Sequence, residues 1–319
     1  LVEPDEPAVP AQPAVRAAHA DVPPAATRVL AKPPVRKLAK DLGVDLRTLT
    51  PSGPDGTVTR DDVDAAAGGA VVEGRTPVVE PRPGARETRE SIKGVRKMMA
   101  QAMTDSAFTA PHVTEWVTVD VTSTMQLLER LKAHRGFAEV RVSPLLVAAK
   151  ACMLAMKRTP EVNATWEAET QEVAYKHYVN LGIAAATPRG LVVPNVKDAN
   201  AMSMADLGLA INALARTARD GKTQPAEMSG GTFTITNVGV FGVDSGTPII
   251  NPGESAILAL GTVRKQPWVY PAGSDEITVR SVTTLALSFD HRLIDGEKGS
   301  RFLADVAGIM EDPANALLM

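Results

Sequence analysis

Ser288-Phe289-Asp290-His291-Arg292-Leu293-Ile294-Asp295-Gly296 is an apolar run that breaks off abruptly into ionisable residues and ends on glycine. The residues before it, from 277 to 289, have strand character, and a last helix is predicted from Gly296 to Glu311. A strand that stops at a histidine delivers that side chain to a cleft. A neutral imidazole, with an ordinary pKa of ~6.5 against ~8.5 for a thiol, removes a thiol proton at modest cost. Asp295, four residues further on, suits the ordering of the loop or of the ring. Taken alone, the same residues also read as a hydrogen-bonded turn.

Working outward, helical and strand patterns alternate from Ser91 to the C-terminus. A Met-rich amphipathic helix is predicted near 93–107, a strand at 112–121, and helices near 124–135 and 144–159. Strand-like stretches follow at 172–187 and 191–196. Ser203-Met204-Ala205-Asp206 then caps a helix that runs to about Asp220. Further strands are predicted near 232–237 and 255–263. The order lacks the regular strand-helix beat of a barrel or a doubly wound sheet. The fold class it indicates is mixed α/β, with helices packed on a largely mixed sheet.

The chain's 319 residues suggest about two domains. Residues 1–27 contain six Pro and eight Ala without apolar periodicity, which describes an extended linker. From 28 to 66 the texture changes. Pro34 sits where a helix begins, Val35, Leu38, Ala39 and Leu42 share one face, and Gly43 stops it. The loop Pro51-Ser52-Gly53-Pro54-Asp55-Gly56 leads to Thr59-Arg60-Asp61-Asp62, a capping box before a second helix. A unit this small buries little core, so it suits docking better than catalysis. Residues 67–90, rich in Gly and Pro, form a second linker, and 91–319 form the large domain. The first residue is Leu1, which leaves room for an upstream segment in the parent protein.

Composition narrows the function. A net charge of −3 gives no bulk electrostatic basis for nucleic acid, and the apolar runs are broken by charge too soon for a membrane span. The single Cys152 excludes an intramolecular disulfide and any multi-cysteine metal site, so no metal is expected and a reducing, cytoplasmic setting fits. Cys152 itself lies in an apolar helical run and reads as core. Phosphate-loop, dinucleotide, zinc-protease and serine-hydrolase signatures do not occur.

Asp290-His291-Arg292-Leu293-Ile294-Asp295-Gly296 resembles the active-site motif of the dihydrolipoamide acyltransferases, the core components of 2-oxo acid dehydrogenase complexes. Gly231-Thr232-Phe233-Thr234-Ile235-Thr236-Asn237-Val238-Gly239 and Thr247-Pro248-Ile249-Ile250-Asn251-Pro252 resemble that family's central strand and following loop. Ser300-Arg301-Phe302-Leu303 and Glu311-Asp312-Pro313 match its close. Residues 28–66 resemble its peripheral subunit-binding domain. The His-x-x-x-Asp-Gly element alone is shared with chloramphenicol acetyltransferase, whose fold the resemblance implies for 91–319.

The resemblance implies that His291 is the general base on the thiol of coenzyme A or dihydrolipoamide. Thr236 is then the hydroxyl donor to the oxyanion, where many members have Ser, and Asp295 orders the His loop. Thr232, Thr234 and Thr236 also alternate with Phe233 and Ile235 as any strand face does. Arg36, extended by Lys40, is implied to bind acidic surfaces of the decarboxylase component or of dihydrolipoamide dehydrogenase. Thr57 stands where many members have Arg, which bears on partner choice. The lipoate would be carried on a lipoyl domain, whose Asp-Lys-Ala triplet does not occur in this chain. The family forms homotrimers that build a cubic or dodecahedral core, and here the Met-rich segment 95–103 and the apolar end Ala316-Leu317-Leu318-Met319 suit such contacts. Acetyl or branched-chain acyl groups are expected. A free-standing small-molecule acyltransferase of the chloramphenicol type and a non-catalytic scaffold are the alternatives.

Overall fold

A computed structural model of the chain describes residues 30–42, 45–59, 62–63, 86–187 and 190–319, apart from a few side chains that include Lys40. The expected linker 1–27, most of 67–90, the Gly43 stop and the body of the second docking helix lie outside the described residues. Contacts divide the chain into two compact units, Leu1–Gly74 and Arg75–Met319.

In the first unit, strand β1 (Leu30–Ala31) pairs in parallel with β2 (Thr57–Val58), and helix α1 spans Pro33–Leu42. Proline suits the first turn because its missing N–H has no partner there anyway. Ala39, Val58 and Val63 form the buried core, with Val35, Leu38, Leu46 and Leu49 packed against it. The capping box closes as expected, Thr59 N donating to Asp62 Oδ2 at 2.9 Å and Asp62 N to Thr59 Oγ1 at 3.2 Å. Hydrogen bonds from Ser52 and Thr59 hold the Asp62 carboxyl well below the usual carboxylate range.

The second unit begins with helix α2 (Gly94–Thr109), strand β3 (His112–Asp120), and helices α3 (Thr122–Lys132) and α4 (Pro144–Ala155). The predicted stretch 172–187 is not one strand. It divides into β5 (Glu172–Tyr175), which pairs with an unanticipated β4 (Ala164–Glu167), and into β6 (Leu181–Ile183) and β7 (Ala185–Thr187). Strands β8 (Gly190–Val192) and β9 (Asn195–Val196) pair with β7 and β6 respectively. Helix α5 (Met204–Arg219) is capped by Ser203, whose Oγ accepts from Asp206 N at 3.2 Å. After the short α6 (Pro225–Met228) come β10 (Phe233–Asn237), β11 (Ala256–Leu260), β12 (Arg264–Val269), β13 (Ile277–Asp290) and helix α7 (Gly296–Glu311).

These strands build a seven-stranded mixed sheet. The long β13 lies antiparallel to β3 on one flank and to β11 on the other, and β12 continues the line of β11 along the earlier half of β13. Beyond β11, β10 runs parallel to β11 and β6 parallel to β10, and β9 closes the sheet antiparallel to β6. Pro267 and the charged residues of β12 concealed it in the sequence; at a sheet edge the missing N–H does no harm.

The two faces of the sheet differ. Phe233 and Ile235, Leu258 and Leu260, and Leu285, Leu287 and Phe289 point into the main core beneath α3, α4 and α7. The Phe233 ring meets Phe302 of α7 edge-on at 5.9 Å, and each such buried side chain contributes about 1.5–3 kcal/mol. Gly299 admits α7 at close range, since a Cβ there would stand 2.5 Å from the Phe289 ring. The opposite face is polar yet buried: Thr232, Thr234, Ser255, Ser288 and Asp290 are all at most 2 % exposed. The loop before β11 roofs it. Trp116 Nε1 donates to Gly246 O at 3.2 Å and Thr165 Oγ1 to Gly253 O at 2.8 Å, so β3 and β4 both fasten that loop.

Candidate active site

His291 follows the last residue of β13, and its N–H donates to Pro111 O at 2.9 Å, just ahead of β3. Its ring is exposed and leans on Phe289, with centroids 6.1 Å apart; no side chain among the described residues hydrogen-bonds it. The flanking residues are fixed. Asp290, 2 % exposed, takes a forked pair of bonds from Arg292, Nε at 3.0 Å and Nη2 at 2.6 Å. Arg292 in turn lies over the Trp166 ring at 5.1 Å, and its pairing with Asp290 raises its own pKa. Two opposite charges two residues apart at a strand end are the signal in the sequence for this clamp, which the expected site did not include.

Asp295 is the N-cap of α7, its Oδ1 accepting from Lys298 N at 2.8 Å. The cap holds the start of the helix, and no bond joins Asp295 to the His291 ring among the described residues. Thr236 is half-buried near the end of β10, on the polar face, and its hydroxyl has no partner among the described residues.

The register separates these groups. Thr236 pairs with Ala259, and Ala259 pairs with Ala286, five residues before His291 along β13. Five residues at ~3.4 Å and two strand spacings at ~4.8 Å put Thr236 and His291 about 20 Å apart in one chain. The next residue in that row is Trp116, 53 % exposed, and Val240 and Phe241, just past Thr236, are each 70 % exposed. Asp290 and Arg292 line a cavity of about 180 Å³ together with Trp166 and Glu254. Neither His291 nor Thr236 lines it. A cavity of about 460 Å³ lined by Lys150, Lys157 and His177 contains none of the expected residues.

Glu254 and Cys152 are among the interior groups whose pKa values are shifted. Burial pushes the Glu254 carboxyl up to about 7, although Asn251 Nδ2 donates to it at 3.0 Å. Burial also raises the Cys152 thiol, so it is no nucleophile. In the first unit, Arg36 is exposed on α1, its Nε donating to Ala31 O at 2.9 Å. Lys40 lies on the same helix.

The sequence profile of the 2-oxoacid dehydrogenases acyltransferase catalytic domain matches residues 84–318. The chain belongs to this acyltransferase family. The profile of the e3 binding domain matches residues 29–64, so this acyltransferase carries a docking module ahead of its catalytic domain. It is 39 % identical over 305 residues to the dihydrolipoyllysine-residue acetyltransferase component of the pyruvate dehydrogenase complex of Bacillus subtilis (strain 168), covering 91 % of this chain and 68 % of that one. Among solved structures it is similar to Azotobacter vinelandii dihydrolipoamide acetyltransferase, studied for the catalytic roles of a serine, a histidine and an asparagine. That likeness has a TM-score of 0.68 at 30 % identity, over 77 % of this chain and 99 % of the other. The cubic core of the pyruvate dehydrogenase multienzyme complex is matched at a TM-score of 0.68 and 29 % identity over the same shares. The fold of the acyltransferase is thus the mixed α/β fold of these catalytic cores. Among the described residues no helix is long and apolar enough to cross a membrane.

Proposed function

We propose that this acyltransferase moves an acetyl group between a dihydrolipoyl thiol and coenzyme A, at a site that pairs His291 of one copy with Thr236 of a neighbour. The observation that carries the reading is the register. The exposed His291 ring and the unpartnered Thr236 hydroxyl suit the two halves of thioester exchange, yet lie about 20 Å apart in one chain, on sheet geometry. Exposed Val240 and Phe241 just past Thr236, and exposed Trp116 three strands along the same row, are the surface that a neighbouring copy would cover.

In this site the His291 imidazole takes the thiol proton, and the thiolate attacks the thioester carbonyl. The Thr236 hydroxyl donates to the oxyanion of the tetrahedral intermediate. When the intermediate collapses, the departing thiolate takes the proton back from the imidazolium. No acyl-enzyme is formed. The Asp290–Arg292 clamp and the Asp295 cap hold the histidine loop from both sides. The Azotobacter study's histidine and asparagine are four positions apart, as His291 and Asp295 are.

Acetyl is favoured over branched-chain groups by the pyruvate dehydrogenase relatives. The same reading divides the chain into linker 1–27, docking module 28–66, linker 67–90 and catalytic domain 91–319, supported by profile matches to 29–64 and 84–318. Arg36 and Lys40 serve the docking of dihydrolipoamide dehydrogenase or the decarboxylase component, and a lipoyl domain brings the lipoate. A homotrimer is the smallest assembly of the site, and a larger cubic core is supported by the structural relative and by Leu317 and Leu318, 89 % and 83 % exposed. A cytoplasmic location accords with the buried, unpaired Cys152. A docking module has no use in a free-standing detoxifying enzyme.

The test is acyl transfer to free dihydrolipoamide from acetyl-, isobutyryl- and succinyl-coenzyme A, with the parent chain and His291→Ala. Acetyl-coenzyme A is expected to be the best donor, and His291→Ala to lose at least ~10²-fold, the usual share of general-base catalysis. A folded, assembled His291→Ala that keeps most of its activity overturns the mechanism.

A further inference from the structure

His112 opens β3 and stands in register with Asp290, the residue before His291. Both of its ring nitrogens are engaged. Nδ1 lies 2.7 Å from the Ala110 carbonyl, and Nε2 lies 3.0 Å from the Ile250 amide nitrogen. A carbonyl only accepts and an amide N–H only donates, so these partners assign a neutral ring protonated at Nδ1, with the Nε2 lone pair facing Ile250. The Ile250 carbonyl is held as well, by Ser106 Oγ at 2.6 Å. Ile250 is 1 % exposed, so its N–H has no recourse to water.

The same corner of chain reaches the catalytic side. Pro111, between Ala110 and His112, offers its carbonyl to the His291 N–H at 2.9 Å. Ala110 to His112 therefore tie the roof of the sheet's polar face at Ile250 and the backbone of His291 to one point. Thr114, two residues along β3, lies on that same face with its Oγ1 2.8 Å from Ser288 Oγ.

We propose that His112 is a positioning residue for acyl transfer, holding the roof loop on the strand pair that ends at His291 by accepting from Ile250 N–H at Nε2. The inference rests on the reading of His291 as the base. Without that acceptor the buried Ile250 N–H turns elsewhere and the loop shifts, carrying with it the corner that fixes His291. A misplacement of about 1 Å at a catalytic group costs on the order of 10²-fold in rate.

The test uses the full chain in its assembled state, with His112→Gln, His112→Asn and His291→Ala. Glutamine places Oε1 near the position of Nε2 and keeps an acceptor for Ile250. Asparagine is long enough only for the Ala110 side of the ring. His112→Asn is expected to lower kcat by about 10- to 100-fold while the KM for coenzyme A changes less than about 3-fold, and His112→Gln to keep kcat within about 3-fold of the parent. Undiminished kcat in His112→Asn, or equal losses in the two variants, overturns the proposal. If His112→Asn does not assemble, His112→Gln decides alone: kcat near the parent's supports the latch, and a loss of 10-fold or more overturns it. His291→Ala separates the two inferences. An inactive His291→Ala beside a fully active His112→Asn removes only His112, whereas an active His291→Ala removes the base.

Discussion

Two inactive variants should restore each other. His291→Ala removes the base and Thr236→Ala the oxyanion donor, and each alone is expected to leave about 1 % of activity or less. The register places the two residues about 20 Å apart in one chain, whereas both must come within ~3 Å of the reacting atoms. In a ring of identical copies joined head to tail, each site draws His291 from one copy and Thr236 from the next. When the two variant chains mix at random in equal amounts, about half of the sites receive an intact His291 and about half of those an intact Thr236. About a quarter of the parent activity should return, at least ~25-fold above either variant alone. The assay is coenzyme A-dependent transfer on co-expressed chains carrying different tags, purified through both in succession, with chain ratios taken from mass spectrometry. Activity no higher than the mean of the two variants, in particles that contain both chains, would refute the shared site.

Thr236→Ala should depress kcat by on the order of 10²-fold with little effect on thioester binding, while Thr236→Ser remains active; equal losses would point to packing of the strand instead. Arg36→Ala should weaken binding of dihydrolipoamide dehydrogenase most at low salt, measured by calorimetry across a salt series, because an exposed cation acts through screened electrostatics. Glu254 makes stability depend on pH. Burial raises its folded pKa from the ordinary 4.5 to about 7, so its contribution is fully present below 4.5 and is lost as pH rises through 7, to a limit of about 3 kcal/mol. Glu254→Gln should therefore melt like the parent near pH 4 and at higher temperature than the parent by pH 8, and parallel melting curves across that range would contradict the assignment.

Local chemistry was legible in the sequence where one short segment decides the outcome. The Thr59 and Ser203 caps form within four residues, and α7 begins and ends at the predicted Gly296 and Glu311. The stretch 172–187 was not legible, because its breaks come from pairing with β4, β8, β9 and β10 rather than from its own pattern. The pairing of Asp290 with Arg292 was not legible either, since a buried forked pair requires knowing that Asp290 lies inside.

By itself the sequence determined the order of the parts, the end of β13 just ahead of His291 and the residue types of an acyl-transfer site, all properties of neighbouring residues and of motif resemblance. Tertiary structure alone decided the partnerships. Thr232, Thr234 and Thr236 alternate like an ordinary solvent face, yet the folded sheet buries the first two, with Asn180 N donating to Thr232 Oγ1 at 3.1 Å, and leaves Thr236 half-buried near the end of its strand. The pairings of Thr236 with Ala259, Ala259 with Ala286 and Asp290 with His112 join segments up to 178 residues apart. Register of that kind is chosen by which side chains fill the core between distant strands, since a slip of one residue would turn every Thr inward and every Phe and Leu outward. The pattern within any one strand is compatible with many partners, so the distance between His291 and Thr236 emerges only when the sheet closes.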